Sequence, residues 1–235
     1  MMRKIRLSLV LLTATVFFTA CYTGAKNREE QTVKIIETGD FNKLRLEGSF
    51  RVVLEQSDKA GLRIKTYDET LENITVSEDG HPGELKISRE RFDMNRVTLY
   101  VSFTRLEEIR SIGGLRLETK GYLDLADFRV HAEGGAVLKM ELKADQLTIT
   151  GEGGVCLNLK GVAKTMEVRI SGAGFVNTGE LRAEYVNMKV EGMTLASVHA
   201  TDSLTASIEG MGKIKYKDDP KVDKNIEGLG KIIKD

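Results

Sequence analysis

The chain has 235 residues, with 35 basic and 35 acidic side chains, 23 Gly, 2 Pro, 2 Cys and no Trp. That length allows one domain or two, and the glycine-rich, proline-poor mixture suits many short strands joined by tight turns and excludes a helical bundle. Balanced charge with no basic stripe excludes a nucleic-acid footprint.

Residues 1–20 have the form of an export signal, with Arg3, Lys4 and Arg6 ahead of an apolar run from Leu7 to Phe18. The run is shorter than the ~20 apolar residues that a membrane-spanning helix needs. Phe18, Thr19, Ala20 and Cys21 then place small residues directly before a cysteine. This junction resembles the lipobox of bacterial lipoproteins, although Phe18 stands where Leu is more usual. The resemblance implies that the Cys21 thiol carries a diacylglyceryl group (the palmitate-bearing state), that cleavage falls before it, and that the new amino terminus is acylated. Each buried methylene of such an anchor contributes about 0.8 kcal/mol, so the body is expected to be held at a membrane. Removing residues 1–20 leaves 32 basic against 35 acidic side chains, a net charge of −3. Residues 21–32 are polar and without apolar periodicity, which predicts a flexible tether.

From 33 to 105, apolar residues recur with period two, as in Leu44, Leu46; Phe50, Val52, Leu54; Leu62, Ile64; Ile74, Val76; Leu85, Ile87; and Val97, Leu99, Val101. Period two predicts half-buried strands. Turn residues separate them at Thr38–Asp40 and Glu78–Gly83. The one short helix expected lies over Asp68–Leu71.

From 106 to 235 the sequence repeats a motif of apolar, any, small, any, Gly. Its copies run Ile109–Gly113, Val130–Gly134, Ile149–Gly153, Ile170–Gly174, Val190–Thr194, Ile208–Gly212 and Ile226–Gly230. Their apolar leaders recur at intervals of about 20 residues, within the range of known repeat architectures. Only Thr194 interrupts the final glycine. Ala126, Ala144, Ala163, Ala183 and Ala200 form a second column between the copies. A period in this range predicts units that cannot bury an apolar face alone and must stack on their neighbours, about 4.8 Å apart. The expected fold is therefore all-β, a right-handed single-stranded β-helix, or solenoid, with turns of roughly 20 residues, capped by the β region 33–105. Leader residues would form apolar ladders inside, and the glycines would take corners closed to residues with a Cβ. An antiparallel sandwich also uses short strands and glycine turns, but it would not require matching residues at this period.

The columns carry a family resemblance. Ile170, Ser171, Gly172, Ala173 and Gly174 look like the repeated Ser-Gly-Ser-Gly signature of the auto-transporter adhesin head-domain family. Phe41–Gln56 resembles that family's opening, and Val97–Val101 followed by Leu106 its lead into the repeats. The resemblance covers about Val33 to Lys234. It implies a secreted or surface protein of Bacteroidetes type, often a lipoprotein, with a right-handed β-helix and no established enzymatic activity. The sequence departs from the family pattern at Ile112, Glu133, Glu152, Met193, Met211 and Leu229, where a small polar residue is usual.

No catalytic constellation is legible, and neither a metal site nor a cofactor is expected. Asp124, Asp127 and Asp145 read as solvated corner residues, and His81, His131 and His199 lack metal-ligand spacing. Cys156, in the strand-like run Val155–Leu159, reads as a small inert residue left without an intrachain partner once Cys21 is acylated. Glu191, Glu209 and Glu227 share one motif position and should stack outward, with His131 at the same position. Like charges in such a ladder repel, so either Lys189, Lys213 and Lys231 shield them or the ladder holds a cation or a basic partner. The end of the last repeat presents an edge that its lysines protect or that self-associates. The function expected is a non-enzymatic, lipid-anchored envelope protein of the outer membrane, facing the periplasm or the surface, that binds a glycan or a protein there as an adhesin does. A carbohydrate-active enzyme on a β-helix scaffold and a purely structural envelope component are the alternatives.

Overall fold

The computed structural model describes residues 31–78, 80–91 and 95–235. The export signal, Cys21 and the tether up to residue 30 lie outside the described residues, as does Asp79 of the second predicted turn. Short alternating segments become β1 (Thr32–Ile36), β2 (Lys43–Glu47), β3 (Phe50–Gln56), β4 (Gly61–Thr66), β5 (Ile74–Ser77), β6 (Glu84–Arg89) and β7 (Thr98–Phe103), with the single-turn helix α1 at Asp68–Leu71. Long extended runs follow as β8 (Glu108–Thr119), β9 (Leu123–Lys217) and β10 (Lys221–Lys234). The fold is all-β, as the composition requires.

Parallel pairing dominates from β2 onward. β2 and β3 lie in parallel register on the two halves of β8, joined at Gly48. β8 pairs with β9 so that Ile109 faces Val130 of the next unit, and β10 pairs with β9 so that Ile226 faces Ile208 of the preceding one. Antiparallel pairs β1/β4, β4/β7 and β5/β6 are confined to the N-terminal part. Buried residues from Phe41 to Ile232 form one hydrophobic cluster.

β9 holds 95 consecutive extended residues, which as a straight strand would reach on the order of 300 Å. It bends instead at glycines with φ between 115° and 128°, a region that residues with a Cβ rarely enter. Apart from Gly161, which stands over Leu142, these corner glycines lie over one another. A Cβ built on Gly153 would stand 2.6 Å from the Gly134 carbonyl oxygen, and one on Gly210 2.5 Å from that of Gly192. Gly113 meets Gly48 in the same way, as do Gly134 and Gly113, Gly172 and Gly153, Gly192 and Gly172, and Gly228 and Gly210. The corner is therefore one column of eight glycines: 48, 113, 134, 153, 172, 192, 210 and 228.

This column corrects the sequence alignment of the repeats. The corner is the fifth motif residue in the copies beginning at Ile109, Val130 and Ile149, but the third in those beginning at Ile170, Val190, Ile208 and Ile226. The step from corner Gly153 to corner Gly172 is two positions shorter than the step between the leaders Ile149 and Ile170. The leaders consequently divide between two inward columns. One carries Leu44, Ile109, Val130 and Ile149 and continues to Val168, Met188 and Ala206; the other carries Leu46, Ser111, Ala132 and Gly151 and continues to Ile170, Val190 and Ile208. A large residue in one column stands beside a small one in the other at Ile109/Ser111, Ile149/Gly151 and Ala206/Ile208, whereas Leu44/Leu46, Val168/Ile170 and Met188/Val190 are large in both. Thr194 is thus no break in the corner column, because Gly192 supplies that corner; Thr194 is buried beside it. Ala144, Ala163, Ala183 and Ala200 are buried, whereas Ala126 is exposed. Leu123 and Leu125 take the inward positions there, and period two turns Ala126 outward.

Candidate functional site

Outward residues flank the corner glycines at fixed offsets, and each offset forms a vertical column on a rigid sheet. One residue before the corner, the column reads Glu47, Ile112, Glu133, Glu152, Ser171, Glu191, Glu209 and Glu227. The acidic ladder is thus longer than its three predicted members, because Glu133 and Glu152 join it through the shift of two. His131 does not share the ladder, contrary to expectation. It falls three residues before its corner, in a mainly basic column with Arg45, Arg110, Arg169 and Lys189, and its Nε2 lies 3.1 Å from Glu133 Oε1.

Neighbouring columns neutralise each other. Lys189 Nζ sits 2.8 Å from Glu191 and 3.1 Å from Glu209, so one ammonium bridges two units. Hydrogen bonds from Lys189 to both carboxylates raise the affinity of its amine for the proton. Glu227 instead accepts from Asn225 Nδ2 at 3.4 Å. Among the described residues, Lys213 and Lys231 make no ion pair with the ladder, so of the three predicted shields only Lys189 acts. In the same alternating pattern Arg45 and Lys86 each reach Glu47 at 2.9 Å, and Arg110 pairs with Glu108 and Arg169 with Glu167.

Past the corner the character changes. Three residues on, the outward column runs Arg51, Arg116, Val137, Cys156, Phe175, Leu195, Lys213 and Lys231. At its N-terminal end Arg51 and Arg116 stand side by side in parallel register. With Arg89, Arg96 and Glu118 they line a cleft of ≈560 Å³ that Ser49, Phe50, Val97 and Gly114 also border. Arg51 Nη2 donates to Glu118 Oε2 at 2.8 Å, and that bond is the main cause of a guanidinium held even more firmly protonated than usual. Arg51 Nε is buried without a protein acceptor. Arg96 and Arg116 are exposed and make no ion pair among the described residues. Among the described residues the cleft therefore offers three guanidinium groups for one carboxylate before Arg89 is counted, an arrangement that suits planar or tetrahedral oxyanions. Sequence reading missed this cluster, because Arg51, Arg96 and Arg116 are widely separated along the chain. The available signal was that Arg51 and Arg116 each follow a corner glycine by three.

The other predicted positions scatter. Asp124, Asp127 and Asp145 are exposed, Asp124 receiving Lys143 at 3.2 Å. His81 lies 3.6 Å from Glu84, and His199 Nε2 2.8 Å from Asp218, whose carboxyl that hydrogen bond lowers below its ordinary range. Cys156 is a half-buried free thiol on the outer face, between the buried Val155 and Leu157. Among the described residues no group of three His, Cys, Asp or Glu is placed to hold a metal ion, and no helix is long and apolar enough to cross a membrane.

A stack of parallel strands turning on a glycine column, with side chains set out in charged and apolar files, defines a class: an all-β scaffold that presents fixed outer faces. Residues 40–220 match the profile of the family described as "Putative auto-transporter adhesin, head GIN domain", and the chain belongs to that family. Solved structures agree on the fold. A "putative adhesin" from Bacteroides fragilis NCTC 9343 is similar with a TM-score of 0.78 at 22% identity, covering 88% of this chain and 98% of its own. A "putative adhesin" from Parabacteroides merdae ATCC 43184 gives 0.67 at 21% identity, covering 88% and 97%. A "putative lipid binding protein" from Parabacteroides distasonis ATCC 8503 also gives 0.67, at 18% identity, covering 88% and 98%. Among curated proteins no sequence matches.

Proposed function

We propose that this protein is a non-enzymatic binding module of the cell envelope, and that its ligand carries an acidic group that enters the arginine cleft. The observation that carries this reading is the convergence of Arg51, Arg96 and Arg116 on one cleft in a chain whose family is described as an adhesin. Arg51 and Arg116 stand side by side on paired strands, which fixes the spacing of two guanidinium stems for a carboxylate or sulfate. The body is read as a right-handed single-stranded β-helix from residue 106, with 33–105 capping it. Support for the hand is the near-universal right-handed sense of parallel β crossovers. An acylated Cys21 after a cleaved signal of residues 1–20, with a tether over 21–32, would hold this body at the outer membrane. The lipobox-like Phe18–Cys21 junction supports that anchor. Lys221, Lys224, Lys231 and Lys234 lie along β10 and suit it to edge protection rather than end-to-end growth.

Binding to matched acidic and neutral oligosaccharides tests the reading. Uronate-bearing or sulfated sugars should bind, with an affinity that falls as salt rises, and Arg116→Glu should weaken binding at least tenfold while leaving the melting temperature unchanged. Equal binding of neutral sugars, or an unaffected Arg116→Glu variant, rejects the cleft as the ligand site.

A further inference from the structure

Beyond the cleft, on the same post-corner side, the last four units expose a run of large apolar side chains. Met193, Met211 and Leu229 follow their corner glycines by one residue and are 58%, 46% and 77% exposed; Phe175 and Leu195 in the next outward column are 54% and 57% exposed. A shallow hollow of ≈240 Å³ lies between Phe175, Leu195 and Lys213. In the earlier units the column of Met193 holds Ser49, Gly114, Gly135, Gly154 and Ala173, so the apolar ridge belongs to the C-terminal units alone. Single exposed apolar residues are ordinary, but a contiguous group of five marks a contact surface.

The borders of this patch carry opposite charges. Glu191, Glu209 and Glu227 run along one side, one residue before the corners. Lys213 and Lys231 run along the other, three residues after. Parallel register sets Glu209 beside Glu227, Met211 beside Leu229 and Lys213 beside Lys231. Lys189 serves Glu191 and Glu209 together, leaving an excess of negative charge on the acidic border. Lys213 and Lys231 make no close ion pair among the described residues, although Lys213 adds to the positive field that lowers the Asp235 carboxyl.

We propose that this face docks a second copy of the same chain, the two lying side by side with their units at the same level. Two faces pressed together by a two-fold axis in the contact plane leave one in-plane direction unchanged and reverse the other. With the axis across the units, files would meet themselves and Glu191 would oppose Glu227. With the axis along the stack, the files exchange: Glu209 meets Lys213 of the second copy and Glu227 meets its Lys231, while Met193, Met211 and Leu229 each meet their own equivalents. Both arrangements bring the file of Met193, Met211 and Leu229 onto its own copy, but only the second pairs opposite charges, Glu209 with Lys213 and Glu227 with Lys231. Methionine suits that seam because its unbranched thioether adapts to a matching surface. An anionic lipid surface fits less well, since the acidic file would face it.

The full chain in mild detergent, followed by sedimentation over a concentration series, should show a monomer–dimer equilibrium that stops at two copies. Met211→Glu should raise the dissociation constant at least tenfold with an unchanged melting temperature. The charge pattern has its own readout. A Lys213→Glu, Lys231→Glu copy and a Glu209→Lys, Glu227→Lys copy should each lose self-association, yet should pair when mixed. In a Cys156→Ala background, Met211→Cys should form a disulfide-linked dimer on mild oxidation, whereas the background alone should not. A monomer at every concentration, open-ended assemblies, or a mixture of charge variants that fails to pair would overturn the proposal. So would vesicle binding abolished by Met211→Glu in a protein that stays monomeric.

Discussion

At the scale of single residues, the corner glycines differ in kind from glycines such as Gly154. Gly210 has φ 123° and its missing Cβ would fall 2.5 Å from a backbone oxygen, whereas the Cβ of an alanine at Gly154, at an ordinary φ, would meet nothing within 4 Å. Gly210→Ala must both strain its backbone and push apart two stacked units. It should cost about 3 kcal/mol, roughly 10 °C in melting temperature for a chain of this size. Gly154→Ala should stay within ~0.5 kcal/mol. Thermal melts of the two variants check the contrast, and equal losses would deny that the column is a backbone requirement. A sequence shows that glycines recur, but not which one bends. Motif spacing favoured the fifth residue throughout, and only φ and the carbonyl contacts reveal that the corner moves to the third residue from Gly172 onward.

At the scale of elements, charged files along neighbouring strands tie units together through pairs that are individually weak. Glu47 is the best placed, with Lys86 on β6 and Arg45 on its own strand both at 2.9 Å. The Lys86 hydrogen bond is the largest influence on its carboxyl and holds it below the ordinary carboxylate range. A depressed acid stabilises the fold above its unfolded-state value, near 4.3, and loses that contribution as pH falls through the lower folded-state value. Glu47→Gln should therefore cost about 0.5 kcal/mol at pH 7, and the difference from the parent should vanish on acidification below about pH 4. Denaturant titrations at both pH values check this, and a gap that persists in acid would assign the loss to packing. The N-terminal strands were legible because alternation survives in β2, β3, β6 and β7, where Leu44, Leu46, Val52, Leu54, Leu85, Ile87, Leu99 and Val101 are all buried. The pairing of β2 and β3 with the two halves of β8 was not legible, since period two fixes a face but not a partner.

At the scale of the whole molecule, the outer surface divides at the glycine corner into a side of alternating charges and a side that passes from arginine through apolar residues to lysine. A scaffold whose strands repeat in parallel register can change function by changing the residues of one file without disturbing the core. Attachment is a property of the whole chain as well. If Cys21 is the acylation site, the peptide that begins there should carry the mass of a diacylglyceryl group plus an amide-linked acyl chain, and Cys21→Ala should release the protein from membranes into the soluble fraction. An unmodified Cys21 in the membrane-bound protein would sink the anchor.

By itself the sequence determined that the chain is all-β, that its second half is built on a recurring glycine motif, that the short helix falls at Asp68–Leu71, and which family it belongs to. These are local or periodic properties, set by side-chain alternation, glycine content and spacing along one chain. Only the tertiary structure decided which glycines form the corner, that Glu133 and Glu152 extend the acidic ladder while His131 leaves it, and that Arg51, Arg96 and Arg116 share a cleft. Each of these depends on register between strands. A shift of two positions preserves every inward and outward assignment that alternation can encode, yet it changes every vertical neighbour.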